Sequence, residues 1–273
     1  PGPCDVVRTA QPEHRPCATI RTAQPEPVKD ERDTLPTMRG NFGQILLVEL
    51  QGERVHAERA ALPESVYLDY IGGVGLGAYL LWQYAPAGVA PLAPEAPLIY
   101  SFSPLLGSSL TTTAKFALLC KSPLTGRICD GLSSSRFALA ARRLGVDAVV
   151  IRGALARLSH LHLDEDPARC RVTPCPELAG WSAAAVAELF HRTGVARHVS
   201  AIGPAGEALV RYATVSNDGR HAGRGGAGAV LGAKRVKAIT VHGDASPGAA
   251  DPGAVLQRAR ELALRSQGVT TDK

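Results

Sequence analysis

Aromatic residues are scarce in this chain, which has 273 residues but only 5% Phe, Trp and Tyr. A core must therefore be built mainly from Ala, Val, Leu and Ile, and the hydrophobic content of 45% provides enough of them. A chain of this length has room for one large domain or two modest ones.

Long apolar runs and a strong excess of charge are also lacking. No run approaches the roughly 18 apolar residues that a membrane span requires, and no secretion signal is recognisable. The net charge of +5 is small for the length; it suits an anionic cofactor or substrate but does not indicate nucleic acid. We therefore expect neither a membrane nor a nucleic acid as partner.

Metal-binding cysteine patterns are absent as well. None of the six Cys residues forms a C-x-x-C pair, and the closest two, Cys170 and Cys175, have a poor spacing for a metal site. This argues against a zinc or iron–sulfur site made by this chain. Scattered thiols in a chain without a secretion signal indicate a reducing compartment, so we expect the cytoplasm.

Residues 1–37 differ in composition from the rest. Residues 4–16 are echoed by residues 17–29, and both copies contain Arg-Thr-Ala-Gln-Pro-Glu. The segment is rich in Pro and charge and shows no helical or strand period, which predicts disorder. Since the only Met is Met38, we hypothesise that Met38 is the natural start and that the leader is not native. The alternative is a metal-binding tail that uses its two Cys.

Residues 217–232 are the most informative stretch, because they combine many Gly residues with Arg220 and Arg224. Gly at this density lets the backbone adopt positive φ and approach a ligand closely. The small residues from Ala227 onward can start a helix, whose N-terminal N–H groups attract an anion. The two Arg side chains would add charge-assisted bonds to phosphate. The alternative is a flexible surface turn.

The first half begins with a predicted β-hairpin, with strands at 45–50 and from Val55 onward. A helix pattern over residues 63–85 is interrupted by a Gly run at 72–77. This run and residues 223–228 match a weak dinucleotide fingerprint, but neither follows a good strand. We favour a tight helix entry for the first and regard the residues leading to the second, 217–222, as a loop.

From residue 98 the sequence shows the same order of elements twice: strand, Pro turn, strand, small-residue loop, helix, strand. The predicted segments are 98–100, 116–120, 133–135, 136–144 and 147–153 in the first copy, and 199–202, 210–215, 222–226, 227–232 and 237–243 in the second. The last strands, Asp-Ala-Val-Val-Ile-Arg-Gly and Lys-Ala-Ile-Thr-Val-His-Gly, align residue for residue. We predict an internal duplication that places the two loops on one face.

The segments between and after the copies complete the organisation. A strand pair is predicted within 161–173, and a helix over 181–192 with Ser182 as its cap. After a Pro/Gly linker, Asp251 caps another helix. We therefore divide the chain into a leader at 1–37, a main domain at 38–245, and a linker with the first helix of a truncated second domain at 246–273.

Several motifs together resemble one known family. They are Gly-Asn-Phe-Gly at 40–43, Lys-Ser-Pro-Leu-Thr-Gly at 121–126, Ile-Gly-Pro-Ala-Gly-Glu at 202–207, Asn-Asp-Gly at 217–219, the Gly-rich run at 222–232 and Lys-Ala-Ile at 237–239. The chain resembles the N-terminal domain of the aldehyde ferredoxin oxidoreductase family of tungsten enzymes. The resemblance implies an α+β fold: a duplicated two-repeat β-sheet domain with short helices. It also implies a tungsten (rarely molybdenum) bis-pterin lying on this base, with magnesium bridging the pterin phosphates.

The resemblance assigns cofactor-binding roles in the second loop. Arg220 and Arg224 would contact cofactor phosphate, and the backbone carbonyl of Ala222 would bind magnesium. Gly225 and Gly226 would offer N–H groups, with Gly223 beside them in the same loop.

In the first loop the sequence departs from the family. Leu132 stands where the family often has an Asn that binds magnesium, so Asp130 or Ser133 is expected to substitute. Ser133 and Ser134 would line the cofactor. Lys115 replaces a family Arg near the pterin; it keeps the charge but loses the forked geometry.

The resemblance also implies what other parts of such a protein provide. The 4Fe–4S cluster and the substrate pocket belong to later domains, so no catalytic residue is predicted in this chain, and the chain alone is expected to be inactive. The implied reaction is oxidation of aldehydes to carboxylic acids with ferredoxin as acceptor. The expected partners are ferredoxin, C-terminal domains or a partner subunit, and a second copy in a homodimer. The alternative is a stand-alone or split-subunit binding module for a molybdopterin-type or other phosphorylated ligand.

Overall fold

The computed structural model describes residues 40–223 and 225–266, all within the unit Pro36–Lys273. The predictions for residues 1–37, Met38 and Arg224 lie outside the described residues. Within them, no helix is both long enough and apolar enough to cross a bilayer.

The first of two six-stranded sheets is built from the first half of the chain. Its neighbours are antiparallel except for the parallel pair β1–β6. The sheet order is β2-β1-β6-β3-β4-β5, with β1 Gln44–Gly52, β2 Arg54–Ala61, β3 Leu98–Phe102, β4 Lys115–Lys121, β5 Ile128–Ser134 and β6 Ala148–Leu155. The predicted hairpin is confirmed, since Gln51 pairs with Arg54 across the turn.

Helices α1 Glu64–Tyr70, α2 Gly73–Tyr84 and α3 Arg136–Arg142 belong to the same half. The Gly run forms the entry to α2, as predicted. A Cβ on Gly77 would lie 2.2 Å from Leu119 Cδ1, so this glycine allows α2 to pack closely on β4. Packing against the sheet therefore accounts for one glycine of this run without a nucleotide.

The second half forms the other six-stranded sheet, with the order β11-β10-β9-β12-β7-β8. Its strands are β7 Ser159–Asp164, β8 Arg171–Pro174, β9 Val199–Ala201, β10 Val215–Asn217, β11 Arg220–Ala222 and β12 Val236–His242. The associated helices are α4 Ala183–Arg192, α5 Pro204–Glu207, α6 Ala227–Ala233 and α7 Pro252–Ser266. The predicted caps are confirmed, because Ser182 Oγ accepts from Ala185 N and Asp251 Oδ1 accepts from Ala254 N.

The two sheets share one topology, which confirms the predicted duplication. Each repeat is longer than predicted. Reading one sheet order backwards pairs β1 with β7, β2 with β8, and so on to β6 with β12. Each repeat therefore includes an opening hairpin and helix that the sequence-based boundaries left out. The strand registers match Tyr100 with Ser200, and these two residues hydrogen-bond to each other at 3.0 Å. They therefore lie close to the axis that relates the repeats.

The main core lies between the two sheets and takes residues from both repeats, including Phe116, Val149, Leu161 and Ile239. Smaller cores lie beneath α2 and α4. Four aromatic rings lie in the main core, where Phe116 stacks on Tyr100 with ring centroids 5.5 Å apart. Most of the remaining core volume comes from aliphatic side chains, as the composition predicted.

Three sequence-based predictions in the strands were wrong. Residues 210–214 are not a strand; they form a turn whose Tyr212 is 69% exposed, and only Val215 begins β10. Residues 217–222 are not a loop, because they contain the end of β10 and all of β11. Ser133 and Ser134 are not in a loop either, because they end β5. In the last two cases pairing with a neighbouring strand overrides weak local propensity.

Equivalent positions at the beginning of the last strand of each repeat, directly before β6 and at the second residue of β12, hold buried charges of opposite sign. Asp147 is fully buried and accepts from Arg142 Nη1 (2.6 Å), Tyr67 Oη (2.8 Å) and the backbone N–H groups of Phe42 and Gly43. Burial, and then Asp147, raise the pKa of Tyr67 far above its ordinary value.

Lys237 is the counterpart of Asp147 in the second repeat and is also fully buried. Its Nζ donates to Trp181 O at 2.7 Å and to Glu207 Oε1. Both repeats therefore neutralise a buried charge with a partner of opposite sign.

Because of two histidines on β7, we expect the protein to lose stability as the pH falls. His160 Nε2 lies 2.7 Å and His162 Nδ1 3.0 Å from Thr240 Oγ1. Burial, followed by the charges of His162 and Arg171, lowers the pKa of His160 to about 4 from an ordinary 6.5. The unfolded state thus binds more protons than the folded state between these values, and stability falls as pH drops from 6.5 towards 4.

We expect this histidine to remove about 2–3 kcal/mol of unfolding free energy over that pH interval. Urea denaturation at pH 7, 6, 5 and 4 measures it, and His160→Gln should flatten the profile while keeping a polar partner for Thr240. The matched control is His56→Gln, since the His56 ring is 71% exposed. Equal profiles for His160→Gln and the unmodified protein would contradict the prediction.

Candidate functional site

The predicted loops of the two repeats meet where the edge strands β5 and β11 lie side by side. Ser133 Oγ on β5 donates to Arg220 O on β11 at 3.2 Å. Asn217 Nδ2 donates to both of these oxygens at 3.3 Å. A Cβ on Gly131 would lie 3.4 Å from Gly223 N. We call this region the repeat junction: β5, β11 and the glycine loop 223–226.

The hairpin β10–β11 presents Arg220 at the junction. Its two-residue turn is Asp218-Gly219, with φ of 49° and 80°, as in a type I′ turn. Asp218 also fixes the turn, since Oδ1 accepts from Val199 N and Oδ2 lies 2.9 Å from His198 Nδ1. Asp-Gly is a strong hairpin signal, so this element could have been found in the sequence.

The glycine loop is packed against its own protein. A Cβ on Gly223 would lie 2.1 Å from Thr214 Cγ2, and one on Gly226 would lie 2.0 Å from Arg211 O. Gly226, with φ of 89°, precedes α6 in the left-handed region, and its N–H donates to Gly223 O at 3.2 Å. The predicted bond from this N–H to phosphate would have to replace that internal bond. It stays a prediction.

Gly225 is held from the first repeat. Its carbonyl accepts from Ser122 Oγ at 2.7 Å, and Cys129 Sγ lies 2.4 Å from where a Cβ would be. Ser122 Oγ also accepts from the N–H groups of Leu124 and Thr125 at 3.1 Å, so a short turn orients it. Sequence reasoning did not assign Ser122 to the site, although it lies in one of the matched motifs.

The predicted site residues separate into an exposed and a buried group. Lys115, Asp130, Ser134 and Arg220 are exposed, whereas Ser133, Ala222 and Gly226 are buried and Gly223 and Gly225 are intermediate. Lys115 and Ser134 are direct cross-strand partners. The structure therefore brings the predicted residues of both repeats to the junction, except Arg224, which is not described.

Two cations at this surface, Lys115 and Arg220, are not neutralised by any described residue. In the described part of the chain, neither Lys115 nor Arg220 has a carboxylate within ion-pair distance. Asp130 points outward on β5 on the same side as Leu132 and Ser134, and Leu132 is 59% exposed. An anion could therefore be bound here without displacing an internal ion pair.

Two buried oxygen atoms close to the junction have no hydrogen-bond partner among the described residues. They are Asn217 Oδ1 and Ser135 Oγ, in side chains that are 0% and 8% exposed. Buried acceptors of this kind are normally satisfied by protein, water or ligand. The water molecules of a hydrated cation would donate to these acceptors. Its phosphate groups would bring the negative charge that fits the cations of this surface.

Histidine, cysteine and carboxylate groups do not cluster as a metal site. No set of three or more of them within residues 40–223 and 225–266 could hold a metal ion. The predicted magnesium ligands, the Ala222 carbonyl with Asp130 or Ser133, include at most one such group.

Comparison with known proteins gives one family. The family described as "Aldehyde ferredoxin oxidoreductase, N-terminal domain" matches residues 45–243. The tungsten-containing aldehyde ferredoxin oxidoreductase of Pyrococcus furiosus is 34% identical over 227 residues, covering 82% of this chain and 37% of the relative. That of Thermococcus kodakarensis is 34% identical, covering 76% of this chain and 34% of the relative.

A more distant relative and a solved structure also match most of this chain. The aliphatic sulfonate oxidoreductase, WOR-like subunit, of P. furiosus is 29% identical over 74% of this chain. The active-site complex BamBC of benzoyl coenzyme A reductase with 1,5-dienoyl-CoA matches with a TM-score of 0.76 and 30% identity, covering 82% of this chain and 34% of that one. The chain thus spans about a third of the length of these proteins.

Proposed function

The chain belongs to the aldehyde ferredoxin oxidoreductase family, because it matches the N-terminal domain of that family. We propose that it forms the base, meaning the surface on which the cofactor lies, for a tungsten (or molybdenum) bis-pterin. The enzyme would oxidise aldehydes to carboxylic acids with ferredoxin as acceptor. The observation that carries the proposal is the repeat junction, where Lys115 and Arg220 present charges unpaired within the described residues beside a glycine loop. Tungsten-containing relatives support the metal.

The proposed roles follow from the positions of the side chains. Arg220, with its forked guanidinium, and Lys115, as a point charge, would bind pterin phosphates from either side of the junction. Ser134 is next to Lys115 on the same strand pair and would donate a hydroxyl.

Magnesium would be held by oxygen ligands, namely the Ala222 carbonyl and Asp130 or Ser133, together with the phosphates. When bound, the metal–pterin centre supplies the two-electron chemistry. This chain's own residues position the cofactor and neutralise its charge.

The remaining parts of the proposal concern the other two thirds of the relatives' length. Later domains or a partner subunit would provide the 4Fe–4S cluster, the substrate pocket and the route to ferredoxin, in a cytoplasmic homodimer. The chain alone is therefore proposed to be inactive. Its relatives, of which it spans about a third, support this division of labour.

A second candidate is a stand-alone binding module for a molybdopterin-type or other phosphorylated ligand. One observation favours this candidate: the exposed residues at the junction, Lys115, Ser134 and Arg220, all belong to this chain, so no other subunit is needed to form the surface. Retention of a phosphorylated ligand that contains neither tungsten nor molybdenum would favour this candidate over the bis-pterin base.

The experiment is to purify the whole chain without oxygen from cells given tungstate and molybdate. Metal content is measured by mass spectrometry and pterin by fluorescence of its oxidised form. Retention at a fixed ratio to protein supports the pterin-binding base. A folded protein free of pterin contradicts binding by this chain alone.

Replacing Arg220 tests the most specific part of the proposal. One charge-assisted bond to phosphate contributes about 1.5–3 kcal/mol, so Arg220→Ala should lower the retained pterin about tenfold or more. The matched control is Arg192→Ala, which removes an exposed arginine from α4, outside the junction. Equal pterin ratios in the two variants would overturn the role of Arg220.

A further inference from the structure

Two cysteines face each other directly across the strand pair that supports the glycine loop. Cys120 on β4 and Cys129 on β5 are register partners in an antiparallel ladder. Directly opposed residues in such a ladder have Cα atoms about 4.5–5.5 Å apart. Disulfides span about 4.4–6.8 Å between Cα atoms. The backbone separation that a disulfide needs is thus already set by the ladder.

The side chains point into the same space. Cys120 and Cys129 are 0% and 5% exposed, both in the core between the two sheets. Their thiols are hydrogen-bonded to each other, and this bond together with burial raises the pKa of Cys120 well above its ordinary value. The Cys120 sulfur is therefore protonated near neutral pH and adjacent to that of Cys129.

The position of β5 in the sheet gives access to this pair. β5 is the last strand of the first sheet, so a single ladder, with β4, holds it, together with the bonds of Ser133 to Arg220 and Asn217 near its end. Edge elements open locally at a lower free energy than central strands do. Such an opening exposes both thiols together without unfolding the protein.

The pair is mechanically connected to the proposed cofactor base. Cys129 Sγ occupies the space that a side chain on Gly225 would need, at 2.4 Å from its ideal Cβ. The Gly225 carbonyl is held by the hydroxyl of Ser122. If Cys129 Sγ moves towards Cys120, one of these two supports of the loop is withdrawn.

We propose that Cys120 and Cys129 are a redox modification site in which a reversible disulfide forms beneath the glycine loop. Each thiol loses its hydrogen and one S–S bond forms. The two electrons and two protons pass to an azo oxidant such as diamide, which becomes the hydrazine. This proposal goes beyond the proposed function and does not depend on pterin binding.

The test is peptide mapping of the whole chain after treatment with diamide under native conditions. Remaining thiols are alkylated in denaturant and the protein is cut with trypsin, which places the two cysteines in separate peptides, 116–121 and 128–136. The expected product is one linked peptide pair, two hydrogen atoms lighter than the sum, that separates again with dithiothreitol.

Variants check the assignment. Cys129→Ser should abolish the linked pair, and Cys170→Ser, which removes a cysteine directly before β8 in the second repeat, should leave it unchanged. The map of the unmodified protein decides the question by itself if a variant does not fold.

Hydrogen exchange gives the result that would overturn the proposal, and it tests whether the disulfide affects the glycine loop. If the β5 amides have exchanged, so that the strand has opened, and both thiols are still alkylated, the disulfide proposal is overturned. It is also overturned if Cys129 is linked to another cysteine. In the oxidised protein the amides of residues 222–228 should exchange about tenfold faster; unchanged exchange there would overturn the connection to the loop.

Discussion

Replacing Asp147 with alanine is expected to lower the free energy of unfolding by about 3–5 kcal/mol. The carboxylate is fully buried and is the partner of Arg142, whose side chain is 2% exposed. Its removal leaves a buried guanidinium without a countercharge. It also leaves Tyr67 Oη and the N–H groups of Phe42 and Gly43 without their acceptor.

Urea denaturation at pH 7 measures this loss. Asp147→Asn keeps the shape but removes the charge, so it should be destabilising by less than the alanine variant. The control is Glu53→Ala, which breaks an exposed pair with Arg157 at 3.5 Å and should cost less than about 1 kcal/mol. If Asp147→Ala and Glu53→Ala were equally stable, the buried pair would not have the role assigned to it.

The second large effect is expected at the glycine loop, where Gly226→Ala should cost about 3 kcal/mol or more. Gly226 has φ of 89° and its new Cβ would lie 2.0 Å from Arg211 O, an atom of the backbone. The loop or the 211–214 turn must therefore move. Because this loop is part of the proposed cofactor base, retained pterin should fall as well.

Gly219→Ala separates the two causes of that effect. Gly219 has a similar φ of 80° but nothing within 4 Å of its ideal Cβ. Its substitution should cost only the left-handed penalty of about 1–2 kcal/mol. Thermal denaturation of both variants gives the comparison, and equal costs would show that contact with Arg211 is unimportant.

The sequence predicted those elements whose signals are local. The opening hairpin, α4 with its Ser182 cap and α7 with its Asp251 cap all follow from periodicity and capping. The duplication was visible because the strands that end the repeats align residue for residue. Its full extent was not, since the opening hairpins and helices of the repeats share topology without obvious sequence similarity.

The elements that were missed depend on long-range pairing. β5 has small and polar residues and is a strand because β4 pairs with it along its whole length. β11 has only three residues and exists as the return of a hairpin. Burial could not be predicted either, so the unpartnered Asn217 and the support of Gly225 by Ser122 became visible only in three dimensions.

The opposite charges at equivalent positions in the two repeats bear on misfolding. Duplicated halves can exchange strands, within one molecule or between two, because their topologies are interchangeable. If β6 took the place of β12, Asp147 would meet Glu207 and the Trp181 carbonyl; in the reverse exchange, Lys237 would meet Arg142. Each error buries like charges together, at a cost of several kcal/mol. Because the two charges have opposite signs, the last strand of each repeat fits only its own repeat. Domain swapping between the repeats is therefore disfavoured as soon as the beginning of that strand pairs.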